Sequence, residues 1–147
     1  MPSAIDLIRS DRLSSAAQYA YASTVPSGMR LIFLAGSCPL NVDGTTAGIG
    51  DYAKQAEKAI ENMLIALDDA GAGIEDVVAT RVLVASSRQQ DLVTAWNVVR
   101  EAFGHHDVPS TLMGVTVLGY ADQLVEIEAT AAVPDTQVGR SSRRSER

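Results

Sequence analysis

The sequence predicts an α+β fold, a mixed sheet with two helices on one face and elements in the order β-β-α-β-α-β-β. Three observations lead there. Two stretches, beginning near Asp51 and near Ser87, repeat apolar residues at three- and four-residue steps. Short apolar or β-branched runs, residues 30–35 and 77–84, stand around them. From Gln123 to Val133 the side chains alternate, which marks a strand with one covered face. The chain has 147 residues, 46% hydrophobic and 20% charged, the size and balance of one domain. A chain of that length buries roughly 68–70% of its unfolded surface, so its core needs no disulfide or structural metal.

In chain order, Arg30–Ala35 is bounded by Ser27-Gly28 and Gly36-Ser37, and residues 19–24 are expected to pair with it across Pro26-Ser27-Gly28 as a hairpin. The glycine-rich stretch Asn41–Gly50 matches neither GxGxxG nor GxxxxGK[ST], so it reads as an ordinary loop rather than a phosphate cradle. Ala53, Ala56, Ile60, Met63, Leu64, Leu67 and Ala70 then mark one face of a helix, with Asp51 as its N-cap and Gly71 as its stop. Val77–Val84 is too short for a helix and reads as a covered strand. In the second helix Ser87 and Gln90 have capping-box spacing, Leu92, Ala95, Trp96, Val99 and Phe103 form the apolar face, and Gly104 ends it. Thr111–Leu118 and Gln123–Val133 follow as strands joined across Gly119–Asp122. On the last of these, Val125, Ile127, Ala129, Ala131 and Val133 point toward the helices, and Leu124, Glu126, Glu128, Thr130 and Ala132 point away. Two carboxylates therefore share a face that is either solvated or covered by another subunit.

Residues 1–134 form a single expected domain, with clear patterning from about 15 onward, and 135–147 is expected to be a disordered basic tail. The body carries 8 Lys/Arg against 16 Asp/Glu, a net charge of −8. That sign lacks the basic footprint of a phosphate binder and argues against nucleic acid as the main ligand. The opening residues have no basic stretch followed by an apolar one, and no run approaches the roughly 20 residues of a membrane span. With the single cysteine, Cys38, unable to form an intrachain disulfide, the expected location is cytoplasmic and no membrane partner is expected.

Three groups are candidates for chemistry. Cys38 lies in a loop after a strand, and without a visible base it reads as an inert buried thiol rather than a nucleophile. His105-His106 are neighbours that rarely aim at one point, and they read as an exposed loop pair rather than a metal site. Glu126, flanked by Leu124, Val125 and Ile127, sits where desolvation tunes a carboxylate for proton transfer, although a glutamate on a wet strand face gives the same pattern.

Three segments occur here in the order seen in the RidA (YjgF) family: Leu34-Ala35-Gly36-Ser37-Cys38-Pro39-Leu40, Ala70-Gly71-Ala72-Gly73-Ile74-Glu75-Asp76-Val77-Val78, and Leu124-Val125-Glu126-Ile127-Glu128-Ala129-Thr130-Ala131. The chain is identified as a member over about residues 17–133. The resemblance implies a chorismate-mutase-like fold assembled as a homotrimer, with small-molecule clefts between subunits. It also implies hydrolysis of enamine or imine intermediates to a carbonyl product and ammonia, with no cofactor and no metal.

Carried over position by position, the water-orienting glutamate falls on Glu126 as the catalytic residue. Tyr21, with Tyr19 as the alternative, takes the place of a cleft tyrosine, and the Met113 backbone carbonyl would help position water. Where the family has a "P-A-R" motif, whose arginine clamps the substrate carboxylate, this chain reads Pro109-Ser110-Thr111. A hydroxyl cannot replace a bidentate guanidinium–carboxylate pair, so standard 2-imino acids are not expected to be its substrates. Tyr21, Thr111, Met113 and Cys38 are the substrate-binding candidates, and Arg30 or Arg81 is a candidate substitute cation. Trp96 either fills the core or narrows the cleft. Two functions follow: a RidA-like hydrolase or deaminase, or a non-catalytic homotrimeric protein that binds a metabolite. A ribonuclease reading, claimed for some members, conflicts with the acidic body.

Overall fold

The computed structural model describes residues 3–135. Most of the expected tail, from 136 onward, lies outside the described residues. The elements are β1 (Asp6–Ile8), β2 (Ala22–Thr24), β3 (Met29–Phe33), α1 (Tyr52–Asp69), β4 (Val77–Ala85), α2 (Gln89–Phe103), β5 (Ser110–Val115) and β6 (Val125–Pro134).

Four strands form the main sheet in the order β3-β6-β4-β5. β4 and β5 are parallel and joined through α2, whereas β6 runs antiparallel to both of its neighbours, β3 and β4. Antiparallel pairing on both sides makes β3 parallel to β4, so α1 is likewise a crossover helix between parallel strands. The strand that comes last in sequence thus lies inside the sheet.

Both helices cover one face, as their apolar stripes require. Ala56, Ala59, Ile60, Met63 and Leu67 of α1 and Ala95, Val99 and Phe103 of α2 close over Val77, Val82, Val84, Val125, Ile127 and Ala131. Each Val, Leu, Ile, Met or Phe among them contributes roughly 1.5–3 kcal/mol by leaving water, and each alanine less. Asp51 caps α1, its carboxylate accepting from the Lys54 N–H at 2.9 Å, and Gly71 follows the helix at φ 84°. No helix of the described residues is long and apolar enough to cross a membrane.

Several expectations are corrected. Residues 22–24 pair with β1, in the register Asp6↔Thr24 to Ile8↔Ala22, and not with β3, whose partner is β6. The hairpin across Pro26-Ser27-Gly28 therefore does not form. Patterned structure also begins before residue 15, because β1 lies ahead of it and Ile5 is buried. At the start of α2 the N-cap is Arg88, with no side-chain cap; Ser86, not Ser87, accepts from the Arg88 N–H and donates to Asp91. His106 is half-buried, its Nε2 lying 2.7 Å from the Val77 carbonyl oxygen, so only His105 fits the exposed reading.

Candidate functional site

The face of the sheet away from the helices carries the charges. In-register pairing sets Leu83 between Glu126 and Met113, and Arg81 between Glu128 and Thr111. An Arg81–Glu128 ion pair at 3.5 Å joins the middle of the face. Leu31 and Phe33 of β3 lie on the same face opposite Ala132 and Thr130, and are 50% and 75% exposed. Large apolar side chains bared beside half-buried charges mark a surface suited to a partner.

Glu126 is placed by two loops that fold against the start of β6. After β3 the chain leaves the sheet and returns at Ser37, which exchanges two backbone hydrogen bonds with Ile127, at 2.7 and 3.0 Å. This brings Gly36 and Cys38 to either side of the Glu126 side chain. A Cβ at Gly36 would collide with Glu126 Oε2, so the carboxylate rests on backbone that only glycine leaves free. Asn62 of α1 pins the same loop, donating to the carbonyls of Cys38 at 2.8 Å and Leu40 at 2.9 Å.

The second loop is held by Gln55, which is wholly buried in α1. Its amide donates to the Asp122 carbonyl at 2.8 Å, and its oxygen accepts from the Leu124 N–H at 2.7 Å. Asp122 sits at φ 61°, a left-handed conformation that aspartate tolerates better than most residues. The turn it makes directs Gln123, 4% exposed, inward. Gln123 Nε2 donates to the Val125 carbonyl and to Glu126 Oε1, both at 3.1 Å, while its Oε1 accepts from the Tyr120 N–H.

Cys38 Sγ is 3.1 Å from the same Glu126 Oε1. Burial pushes its thiol up to about 11, and the hydrogen bond to Glu126 and that residue's charge act in the same direction. The raised thiol is a donor to Glu126 rather than a thiolate, and Cys38 is half-buried where a buried thiol was expected. No Lys, Arg or His of the described residues forms an ion pair with Glu126.

Of the residues singled out from sequence, Glu126 and Cys38 touch, Met113 is in register with Glu126 across Leu83, and Thr111 is in register with Glu128 across Arg81. Tyr21 does not join them within the chain. It meets Tyr19 edge-on with centroids 6.3 Å apart and hydrogen-bonds to the Ser14 carbonyl. Tyr19 in turn packs edge-on against Trp96 at 6.0 Å. Trp96 packs against the core while its Nε1 donates to Gln18 at 3.0 Å. Arg30 is in register with Val133 on the helix side and its guanidinium lies by Gly71, so of the two candidate cations only Arg81 is on the open face. Gln55 and Gln123 escaped sequence reasoning. Their one signal was a polar residue at an apolar helix position and another at the start of an alternating strand.

A family model described as Endoribonuclease L-PSP matches residues 10–133. The chain belongs to this family, RidA (YjgF). A RutC family protein of Pyrococcus abyssi is 32% identical over 111 residues, covering 76% of this chain and 84% of that protein. The structure of YyfB, a Yersinia pestis Rid-family protein of unknown function, superposes with a TM-score of 0.81 at 27% identity, covering 88% of this chain and 99% of that one. A Mycobacterium tuberculosis member of the YjgF family gives a TM-score of 0.58 at 31% identity, with the same coverage of the two chains. The α+β sheet with two helices on one face is thus the RidA fold.

Proposed function

We propose that this RidA-family chain is a cofactor-free hydrolase of enamines or imines that works from Glu126 in clefts between the subunits of a homotrimer. The observation that carries the reading is Glu126 itself, a half-buried carboxylate at the start of β6 on the open sheet face, with no ion-pair partner among the described residues. Glu126 takes a proton from water as the oxygen adds to the C=N carbon, and the C=N π pair moves to nitrogen. It then returns the proton to nitrogen. Glu126 then takes the adduct's hydroxyl proton and passes it to the nitrogen as the C–N bond breaks and the C=O bond forms, so one water is consumed for each ammonia released.

The bared Leu31 and Phe33 support assembly through this face, as does the separation of Tyr21 from Glu126 within one chain, which a neighbouring subunit would bridge. Light scattering or sedimentation checks it: a species near 15.6 kDa at micromolar concentration removes the intersubunit cleft. The open face carries Glu126, Glu128 and Arg81, with Thr111 where the family arginine would stand. With Arg81 engaged by Glu128, the site suits a neutral imine better than a 2-imino acid.

The test is ammonia release and imine decay over a panel of imines, including 2-imino acids generated by an amino-acid oxidase, for wild type, Glu126→Gln and Thr111→Arg. Acceleration that disappears in Glu126→Gln supports hydrolysis, with a loss on the order of 10²–10⁴-fold. Activity toward 2-imino acids appearing only in Thr111→Arg supports an intact catalytic frame with a different ligand. Silence from all three favours the second reading, a metabolite-binding trimer, for which the replaced arginine is the motivating observation. The ribonuclease name of the family model meets a body of net charge −8, and only RNA binding with a steep salt dependence would support that activity here.

A further inference from the structure

We propose that Gln123 and Cys38 are positioning residues that divide the Glu126 carboxylate, holding Oε1 so that Oε2, above Gly36, is the oxygen that takes the proton from the attacking water. This rests on the hydrolytic reading above.

Two donors converge on Oε1. Gln123 Nε2 and Cys38 Sγ both stand 3.1 Å from it, and a carboxylate oxygen has two lone-pair sites, so its capacity is filled. Oε2 accepts from no donor among the described residues. The two oxygens of one carboxylate are therefore chemically unequal before any substrate arrives.

The donors are themselves fixed. Gln123 is buried with every amide group engaged, and the partner set assigns its orientation: two acceptors at the nitrogen, one N–H at the oxygen. Cys38 sits in the loop tied to α1 by Asn62, and its protonated thiol supplies the second donor. Gly36 closes the arrangement from below, since a methyl group there would occupy the space of Oε2. These contacts favour one orientation of the carboxylate, which is the preorganisation that a base acting on one water requires.

The experiment compares Gln123→Met, Cys38→Ala and Cys38→Ser with wild type, reading kcat, KM and the acid limb of the kcat/KM profile on the best imine of the panel. Each lost donor weakens the charged form of the base, so the acid limb moves to higher pH while kcat falls by about tenfold and KM changes little. Cys38→Ser, which keeps a donor, recovers most of the loss. A fall in kcat with an unmoved acid limb in both Gln123→Met and Cys38→Ala means that the residues only shape the loop, and overturns the proposal.

A second readout needs no turnover. Titrating Cys38 by the pH dependence of its alkylation rate is expected to give about 11 in the wild type and a lower value in Glu126→Gln. An unchanged thiol overturns the proposal by removing the hydrogen bond it uses. Absence of turnover on every imine, with the thiol shift intact, overturns the hydrolytic reading and this role with it. Turnover with an unmoved acid limb overturns this role alone.

Discussion

On β6 the side chains of Val125, Ile127, Ala129, Ala131 and Val133 are shut beneath two helices, whereas Glu126, Glu128 and Thr130, interleaved among them, stay half-open on the other face. The first set sees only packed carbon. The second sees an ion pair, a buried amide, a thiol and two bare apolar side chains of β3. Stability and chemistry are thus separated by the thickness of one strand, and substitutions one residue apart should fall into different classes.

The sharpest test of that separation pairs Ile127→Ala with Glu126→Gln. Ile127 is wholly buried, and its truncation leaves a cavity worth about 2–5 kcal/mol, read as a fall in the urea midpoint with an unchanged slope. Glu126→Gln keeps volume and is expected to unfold at nearly the wild-type midpoint. Equal destabilisation by both would break the comparison, since the open face would then be part of the core.

Gln55→Leu should fall between them. It leaves the Leu124 N–H and the Asp122 carbonyl without their partner, at a cost of about 1–3 kcal/mol in the same urea experiment. Because those groups set the loop that carries Gln123, the variant also links the two faces, and on any accepted imine it should lower kcat more than it changes KM. Arg81→Met is the smallest effect. The Arg81–Glu128 pair is exposed on both sides, so its loss should cost less than about 1 kcal/mol and should become undetectable at high salt.

How much of this was legible in the sequence follows from range. The helices, the Asp51 cap, the alternation of β6 and the helix faces, apart from the exposed Leu64, are local patterns of period 3.6 or 2 and stand where the sequence places them. The three-residue strands β1 and β2 are too short to carry a period, and residues 19–24 were assigned to the nearest apolar run rather than to β1. Glu126 was visible because its strand is patterned. Its partners were not: Cys38 meets it across 88 residues and Gln55 reaches Asp122 across 67, through a thiol and an amide that leave no periodic trace. Gln123, only three residues away, was read as part of the strand because its amide acts through burial, which the alternation does not encode.

The position of β6 between β3 and β4 also has a kinetic meaning. Until residues 125–134 have been synthesised, β3 has no partner in the main sheet and β4 is paired only with β5, and neither crossover helix has a complete surface to dock on. The sheet therefore closes late, by inserting a strand into a waiting slot rather than by adding one at a rim. Glu126 arrives with that insertion, so a nascent chain acquires its candidate base in the same event that completes its sheet.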